Sequence, residues 1–168
     1  MTKKSFLNST KIFTFTALFT ALVIVLSSFG ISVPGGHLYF NDMVIVCAAL
    51  FLDPLSAFIV GGIGAFLGDF FFYPTPMFVS LVVHGLQAIA ISCIAHNMSS
   101  NKRNWIAALV GALIMIVGYT LGRTFVYANF ETACIKLPFQ IVQAAFGVVT
   151  GNLLANNRSI ASYFNRLY

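Results

Sequence analysis

Several hydrogen-bonding side chains interrupt the apolar stretches of this sequence at helical spacings. They are Asp69, His84, Gln87, Tyr119, Arg123, Tyr127, Gln140 and Gln143. Neighbours within one stretch are three or four residues apart, so on a helix they share a face. Amide, imidazole, phenol and guanidinium groups are those with which proteins hold a small polar molecule by hydrogen bonds. A ligand site is therefore one function that these residues could serve.

Each of these side chains also has an ordinary structural interpretation. Arg123 could pair with Asp69, or it could extend its guanidinium to the outer lipid headgroups. His84 could bond to a backbone carbonyl, and the glutamines could join neighbouring helices as buried amides do in membrane proteins. A depth shared by the whole set carries more weight than any single residue, and depth depends on the elements that carry them.

The composition places the chain in a membrane. Of its 168 residues, 59% are hydrophobic and 8% are charged, whereas a soluble domain carries roughly 25% charged residues. So few charges cannot cover a water-facing surface. The net charge of +5 does not indicate nucleic-acid binding, because the basic residues fall in short clusters between apolar runs, as in the cytoplasmic loops of membrane proteins.

Six apolar segments predict the helices of one transmembrane domain over residues 1–168. They cover about 12–30, 42–52, 55–72, 77–97, 105–127 and 138–156. A helix needs about 20 residues to cross the hydrocarbon core, so the second segment is too short to span it alone. The first is interpreted as a retained helix and not as a signal peptide. Because the alternation of barrel strands is missing, the predicted fold is an all-α six-helix bundle.

The basic residues predict that both termini lie on the cytoplasmic side. Seven of the nine fall on the inner side of that topology: Lys3, Lys4, Lys11, Lys102, Arg103, Arg158 and Arg166. Arg123 and Lys136 fall toward the outside.

This topology puts the polar side chains at one depth. With a rise of 1.5 Å per residue, His84 and Gln87 lie roughly 10 to 15 Å below the outer boundary. The other members of the set also fall in the outer half, and the inner half is nearly free of strong polar groups apart from His96. Polar groups from several helices at one depth predict a pocket that opens to the outside and is closed below. That is the geometry of a receptor, since a channel needs polar groups through both halves.

The sequence contains no motif of an enzyme, a metal site or a bound cofactor. The HExxH, GxSxG, P-loop and dinucleotide-binding patterns are missing. Cys47, Cys93 and Cys134 are widely spaced without histidine partners, which is typical of small apolar residues. A membrane-embedded enzyme or a small ion-coupled carrier would need a catalytic pair or ionisable groups at mid-membrane. Any transport would take its energy from partners or from an ion gradient.

Ala17 and Ala21, in the stretch TALFTALV, form one of several pairs of small residues four positions apart. Six others are Ala57/Gly61, Gly61/Ala65, Gly64/Gly68, Ala108/Ala112, Gly118/Gly122 and Gly147/Gly151. Such pairs let membrane helices approach closely. Spacing alone favours packing within the bundle, and a docking surface for another protein is the alternative for Ala17 and Ala21.

Three stretches of the sequence together carry a family resemblance. A basic N-terminus leads into TALFTALVIVLS, the glycine-containing loop PGGHLYFNDMVIV follows, and then FLDPLSAFIVGGIGAFLGDFF. With six predicted helices, the whole chain resembles the substrate-binding S components of energy-coupling factor (ECF) vitamin transporters. It looks most like the small members assigned to hydroxymethylpyrimidine or a pyridoxine-like vitamer. Riboflavin, pantothenate and folate members share the architecture, but their loops differ from those of this chain.

The resemblance implies partners and a mechanism. S components capture a vitamin at the outer face and associate with a membrane T component that carries two cytoplasmic ATPases. The S component is thought to topple in the membrane and so deliver the vitamin inward. A small-residue face of the first helix contacts the T component in this family, and it maps onto Ala17 and Ala21. A cofactor and a nucleic-acid partner are not expected.

The resemblance also extends the candidate site. The first outer loop, here residues 31–41, acts as a lid in the family, which adds contacts from that loop. The substrate would be a small planar heterocycle that stacks on Phe72 or Tyr119 and accepts or donates hydrogen bonds. The full candidate set is His37, Tyr39, Asn41, Asp69, Phe72, His84, Gln87, Tyr119, Arg123, Gln140 and Gln143.

Overall fold

The structure is a computed structural model that describes residues 10–98 and 102–164. Lys3, Lys4 and Arg166, which contribute to the predicted orientation, lie outside the described residues. The helices are α1 Thr10–Ser27, α2 Asn41–Phe51, α3 Pro54–Phe72, α4 Met77–Asn97, α5 Arg103–Tyr127, α6 Phe130–Asn156 and α7 Arg158–Phe164. All but α2 and α7 are long and apolar enough to cross a membrane. The predicted all-α membrane bundle, with a short second helix, is confirmed.

The predicted outer loop folds as a short antiparallel hairpin. Strand β1, Ile31–Val33, pairs with β2, Gly36–Leu38. Pro34 and Gly35 form the turn between them, and Gly35 has a φ of 79°. This is the value that the third residue of a type II turn requires, after a proline at the second. Pro34 and Gly35 thus form the tip of a defined hairpin.

Helix α6 begins eight residues before the predicted segment, which started at Pro138. Its first turn is capped by Asn129, whose side-chain oxygen accepts a hydrogen bond from the Thr132 backbone N–H at 2.9 Å. Pro138 lies inside the helix. A membrane helix tolerates an internal proline because neighbouring groups satisfy the freed carbonyl.

Helix α7, which the sequence did not predict, fills the space below the short helix α2. With 11 residues, α2 covers only about half of the hydrocarbon core. Phe164 of α7 is buried below it and stacks on Phe51, with ring centroids 4.4 Å apart. It also meets Phe15 of α1 edge to face, at 4.9 Å. The aromatic contacts therefore continue the core where α2 stops.

Glycines let α3 and α6 approach their neighbours closely. A Cβ on Gly61 of α3 would lie 2.7 Å from the carbonyl oxygen of His84, and one on Gly147 of α6 would lie 2.8 Å from the Cβ of Asp42. The outer halves of α2, α3, α4 and α6 are therefore drawn together around the polar residues.

Replacing Gly61 with alanine is expected to destabilise the protein by about 1–3 kcal/mol, because the added methyl group overfills the contact between α3 and α4. Thermal unfolding of the purified protein in detergent measures the change. Leu109→Ala, on a side chain that faces outward from α5, is the control and should change stability by less than about 0.5 kcal/mol. An unchanged melting temperature for Gly61→Ala would contradict the packing described.

Candidate functional site

A pocket lies where the hairpin covers one end of the bundle. The ends of α3 and α5 and the beginnings of α2, α4 and α6 meet there. Nine residues of the sequence-derived set line it: His37, Tyr39, Asn41, Asp69, His84, Tyr119, Arg123, Gln140 and Gln143. The space between the lining atoms is about 470 Å³, with the part open to solvent included. The structure therefore brings together groups from the hairpin and from five helices.

Phe72 is the member of the set that the structure places on the outside. It is 51% exposed and does not line the pocket. Asp69 on α3 and Tyr73, the residue that follows the end of the helix, both line it. Phe72 lies three residues after Asp69 but on the neighbouring, outward side of the helix. Of the two rings predicted to stack on a ligand, Tyr119 lines the pocket and Phe72 does not, and Tyr73 adds a second aromatic wall.

Gln87 is buried behind the pocket wall and belongs to a network centred on Asp42. Gln87 Nε2 donates to Asp42 Oδ1 at 3.4 Å, and Gln143 Nε2 donates to Asp42 Oδ2 at 2.6 Å. On their far sides, Gln87 Oε1 lies 2.7 Å from His84 Nδ1, and Gln143 Oε1 accepts from the Tyr39 backbone N–H at 3.2 Å. Asp42 is thereby connected to His84 on one side and to the end of the hairpin on the other.

The chemistry of these groups fixes the direction of each hydrogen bond. The carboxylate of Asp42 only accepts, so both amides must turn their N–H groups toward it. Gln87 Oε1 can then only accept, and His84 Nδ1 must be the donor. In the neutral ring, His84 Nε2 then carries the lone pair and is an acceptor. Asp42 thus determines which face of His84 and of Gln143 is presented.

Asp69 is held by a second chain of hydroxyl groups. Ser80 Oγ donates to Asp69 Oδ2. Since that bond uses the only proton on Ser80 Oγ, the hydroxyl of Tyr119, 2.5 Å away, must donate to it. The arrangement orients both the carboxyl group and the phenol ring in the pocket wall. His84 packs edge to face on Tyr119, with centroids 5.2 Å apart.

Arg123 does not pair with Asp69, which was one interpretation of the sequence. Its Nη1 donates to Gln140 Oε1 at 3.2 Å, and its guanidinium carbon lies 5.5 Å from the centroid of the Tyr127 ring. Gln140 Nε2 donates in turn to the Ile116 carbonyl at 2.8 Å. The amide of Gln140 therefore joins α6 to α5 and at the same time positions the arginine.

The hairpin is held over the pocket from α6. Lys136 Nζ donates to the His37 carbonyl at 2.6 Å, and a Cβ on Gly35 would lie 3.0 Å from the Cβ of Lys136. Together with the bond between Gln143 and Tyr39, this gives two attachments between α6 and the hairpin with the residue that follows it. Burial raises the pKa of Tyr39 well above its usual value, so its phenol stays protonated and can donate.

Three buried polar atoms at the pocket have no hydrogen-bond partner among the described residues. They are His37 Nδ1, Asn41 Oδ1 and Tyr127 OH. Asn41 uses its Nδ2 to donate to Ser27 Oγ at 3.2 Å, which leaves only its oxygen. A buried polar group without a partner costs about 1–3 kcal/mol. These atoms therefore retain unused hydrogen-bonding capacity beside the pocket.

Four residues important to the geometry were not in the sequence-derived set. They are Asp42, Tyr73, Tyr127 and Lys136. Asp42 is 1% exposed because α2 begins beneath the hairpin. Tyr127 continues the i, i+4 ladder of Tyr119 and Arg123 and could have been included on that signal. No pattern along the chain indicated the role of Asp42.

Ala17 and Ala21 lie on the outward side of α1. Both are exposed, whereas the helix turns Ile12, Thr16 and Val23 toward the bundle. In each of the six other small-residue pairs named in the sequence analysis, at least one member is buried. Packing between the helices of this chain, favoured by spacing, therefore describes those pairs and not Ala17 and Ala21.

Comparisons with known proteins agree with this architecture. Residues 7–159 match the family model described as ECF-type riboflavin transporter, S component. A Pyrococcus woesei protein, described as an uncharacterized protein in the gap 3′ region, is 27% identical over 116 residues, which make up 69% of this chain and 78% of that protein. A solved structure, described as the structure and mechanism of the S component of a bacterial ECF transporter, superposes with a TM-score of 0.76 at 18% identity. It covers 93% of this chain and 98% of that one.

The matching model is the one described for riboflavin transporters, so the view that the loops separate this chain from that group is not supported. The model covers most of the chain, and the solved S component shares its fold. The chain is an integral membrane protein and belongs to the family of ECF-type riboflavin transporter S components, the substrate-binding subunits of ECF transporters.

Proposed function

We propose that this chain captures a small vitamin or vitamin precursor in the pocket beneath the hairpin and delivers it inward. The observation that carries the proposal is the convergence of polar side chains from six elements, with His37 Nδ1, Asn41 Oδ1 and Tyr127 OH left without partners among the described residues. Aromatic walls from Tyr73 and Tyr119 suit a planar ring. The site residues act by binding and not by catalysis.

The proposed substrate is a planar heterocycle of the hydroxymethylpyrimidine or pyridoxine type, with riboflavin as the second candidate. The sequence resemblance favours the first, and the description of the matching family favours the second. Mass spectrometry of the small molecule that co-purifies with the protein distinguishes them. Release of a compound without a heterocyclic ring would contradict both.

We further propose that transport depends on a membrane T component and two cytoplasmic ATPases, with Ala17 and Ala21 as the docking surface and toppling as the inward step. Uptake by cells that express the chain with and without these partners tests this. Uptake is expected only with the partners. Full uptake by the chain alone would favour a small ion-coupled carrier.

Replacing His84 or Gln143 with alanine is expected to weaken binding of the co-purifying ligand by about 1–3 kcal/mol each, if each makes a buried hydrogen bond to it. Isothermal titration of the purified variants measures the change. Phe72→Ala is the matched control, because Phe72 lies outside the pocket on the same end of the bundle. Unchanged affinity in both pocket variants would place the site elsewhere.

A further inference from the structure

Two cations from neighbouring helices converge in the pocket under the hairpin. Arg123 of α5 is 7% exposed and Lys136 of α6 is 3% exposed, and both line the pocket. The Cβ position of Gly36 would lie 3.7 Å from Arg123 Nη2 and 3.9 Å from Lys136 Cε. Because a glycine stands there, no side chain comes between the two groups and the hairpin backbone.

Within the described part of the chain, these cations have neutral partners. Arg123 donates to the Gln140 amide oxygen and Lys136 to the His37 carbonyl. Over residues 10–98 and 102–164, neither has a carboxylate oxygen within 4.0 Å, the distance within which His84 and Asp42 pair. A guanidinium has five N–H donors and an ammonium has three. Most of the donor capacity of both groups is therefore unused by these partners.

Two like charges in a buried site are unfavourable unless an opposite charge joins them. The carboxyl group of the pocket, Asp69, accepts from Ser80 on α4 and forms no ion pair within 4.0 Å with Arg123 or Lys136, all of which are described residues. Asp42 is behind the wall and is occupied by two glutamines. The charge that would complete the site must come from outside the described chain.

We propose that the pocket selects a ligand with an anionic group, a carboxylate or a phosphate, which binds between Arg123 and Lys136. This deepens the proposed function and rests on it. A planar anion accepts paired hydrogen bonds from a guanidinium, and an ammonium adds a point charge. Asn41 also lines the pocket, and its Oδ1 is an acceptor without a hydrogen-bond partner among the described residues. The preferred ligand therefore combines an acidic group with an N–H or O–H donor.

The proposal is tested with matched ligand pairs that differ in the acidic group. The pairs are pyridoxine and its 5′-phosphate, riboflavin and its 5′-phosphate, and pantothenate and its neutral alcohol, each titrated calorimetrically into the purified full chain. The anionic member of the pair that binds is expected to bind about tenfold more tightly than the neutral one. Arg123→Gln and Lys136→Gln should each reduce this preference, and Arg103→Gln, at the opposite end of the bundle, should leave it unchanged.

A second measurement does not depend on which vitamin is bound. Inorganic phosphate, compared with chloride at equal ionic strength, should raise the melting temperature of the wild type and of Arg103→Gln, and not of the Arg123→Gln/Lys136→Gln double variant. Equal or tighter binding of the neutral members, or an equal phosphate effect in the double variant, would overturn the proposed selection of an anionic ligand. Either result would leave the proposed function intact. Binding of no vitamin, with no co-purifying ligand, would overturn the proposed function itself.

Discussion

Asp42→Asn is expected to weaken ligand binding by about tenfold to one-hundredfold, or ~1.4–2.8 kcal/mol. The substituted amide would offer one oxygen and one N–H₂ group where two acceptors now stand. The new N–H₂ group would then face the Nε2 donor of either Gln143 or Gln87, and two donors cannot form a hydrogen bond. Turning the Gln143 amide to avoid this would point its N–H₂ at the Tyr39 backbone N–H and break one attachment of the hairpin.

The effect of Asp42→Asn should depend on the glutamine that transmits it. In a Gln143→Ala background the substitution is expected to cost less than in the wild type, since coupled residues give non-additive free energies. Asp53→Asn is the matched control. Asp53 caps α3 at the other end of α2 and accepts from Ser56, and asparagine caps a helix about as well. Full additivity, or equal affinity for Asp42→Asn and wild type, would rule out the role of Asp42 in orienting the pocket.

The double variant Ala17→Trp/Ala21→Trp is expected to keep ligand binding and to lose transport. Both side chains are exposed on the surface of α1 that faces away from the bundle, and neither lines the pocket. Two indole rings would prevent close approach of another helix, which small residues permit. Ligand titration and ATP-dependent uptake with the T component and ATPases present measure the two properties separately.

Leu109→Trp/Leu113→Trp is the matched control for the alanine pair. These leucines are also four residues apart, on α5, and are 58% and 61% exposed. Their replacement adds the same bulk to a different outward surface and should leave uptake near the wild-type rate. Normal uptake by the α1 double variant would show that Ala17 and Ala21 are not the docking surface. Loss of ligand binding would mean that these two alanines pack inside the bundle.

The class of the protein and the existence of helices α1 to α6 were predictable from the sequence. Length, hydropathy and basic clusters are properties of single segments, and a segment in lipid must satisfy its own backbone hydrogen bonds. The starts and ends of α3 and α4 were predicted within one residue. The start of α6 was not, because proline is a reliable helix breaker in water and a tolerated residue in a membrane helix.

Many of the residues that line the pocket were also predictable. Nine candidates line the pocket, since rare polar residues in apolar helices usually face a cavity or one another. The main difference concerns two adjacent side chains where α3 ends. Phe72 is its last residue and Tyr73 follows it, and nothing in their types distinguishes the outward ring from the inward one.

By itself, the sequence determined a membrane bundle with polar groups in its outer half. Only the tertiary structure decided which side of each helix faces inward, that Asp42 is the centre of the buried network, and that Arg123 is bound to Gln140 and not to Asp69. The physical reason is the solvent. In water the inner face of a helix is the apolar one, but lipid is as apolar as the core. Inward and outward faces then differ in their partners, and partners come from other parts of the chain.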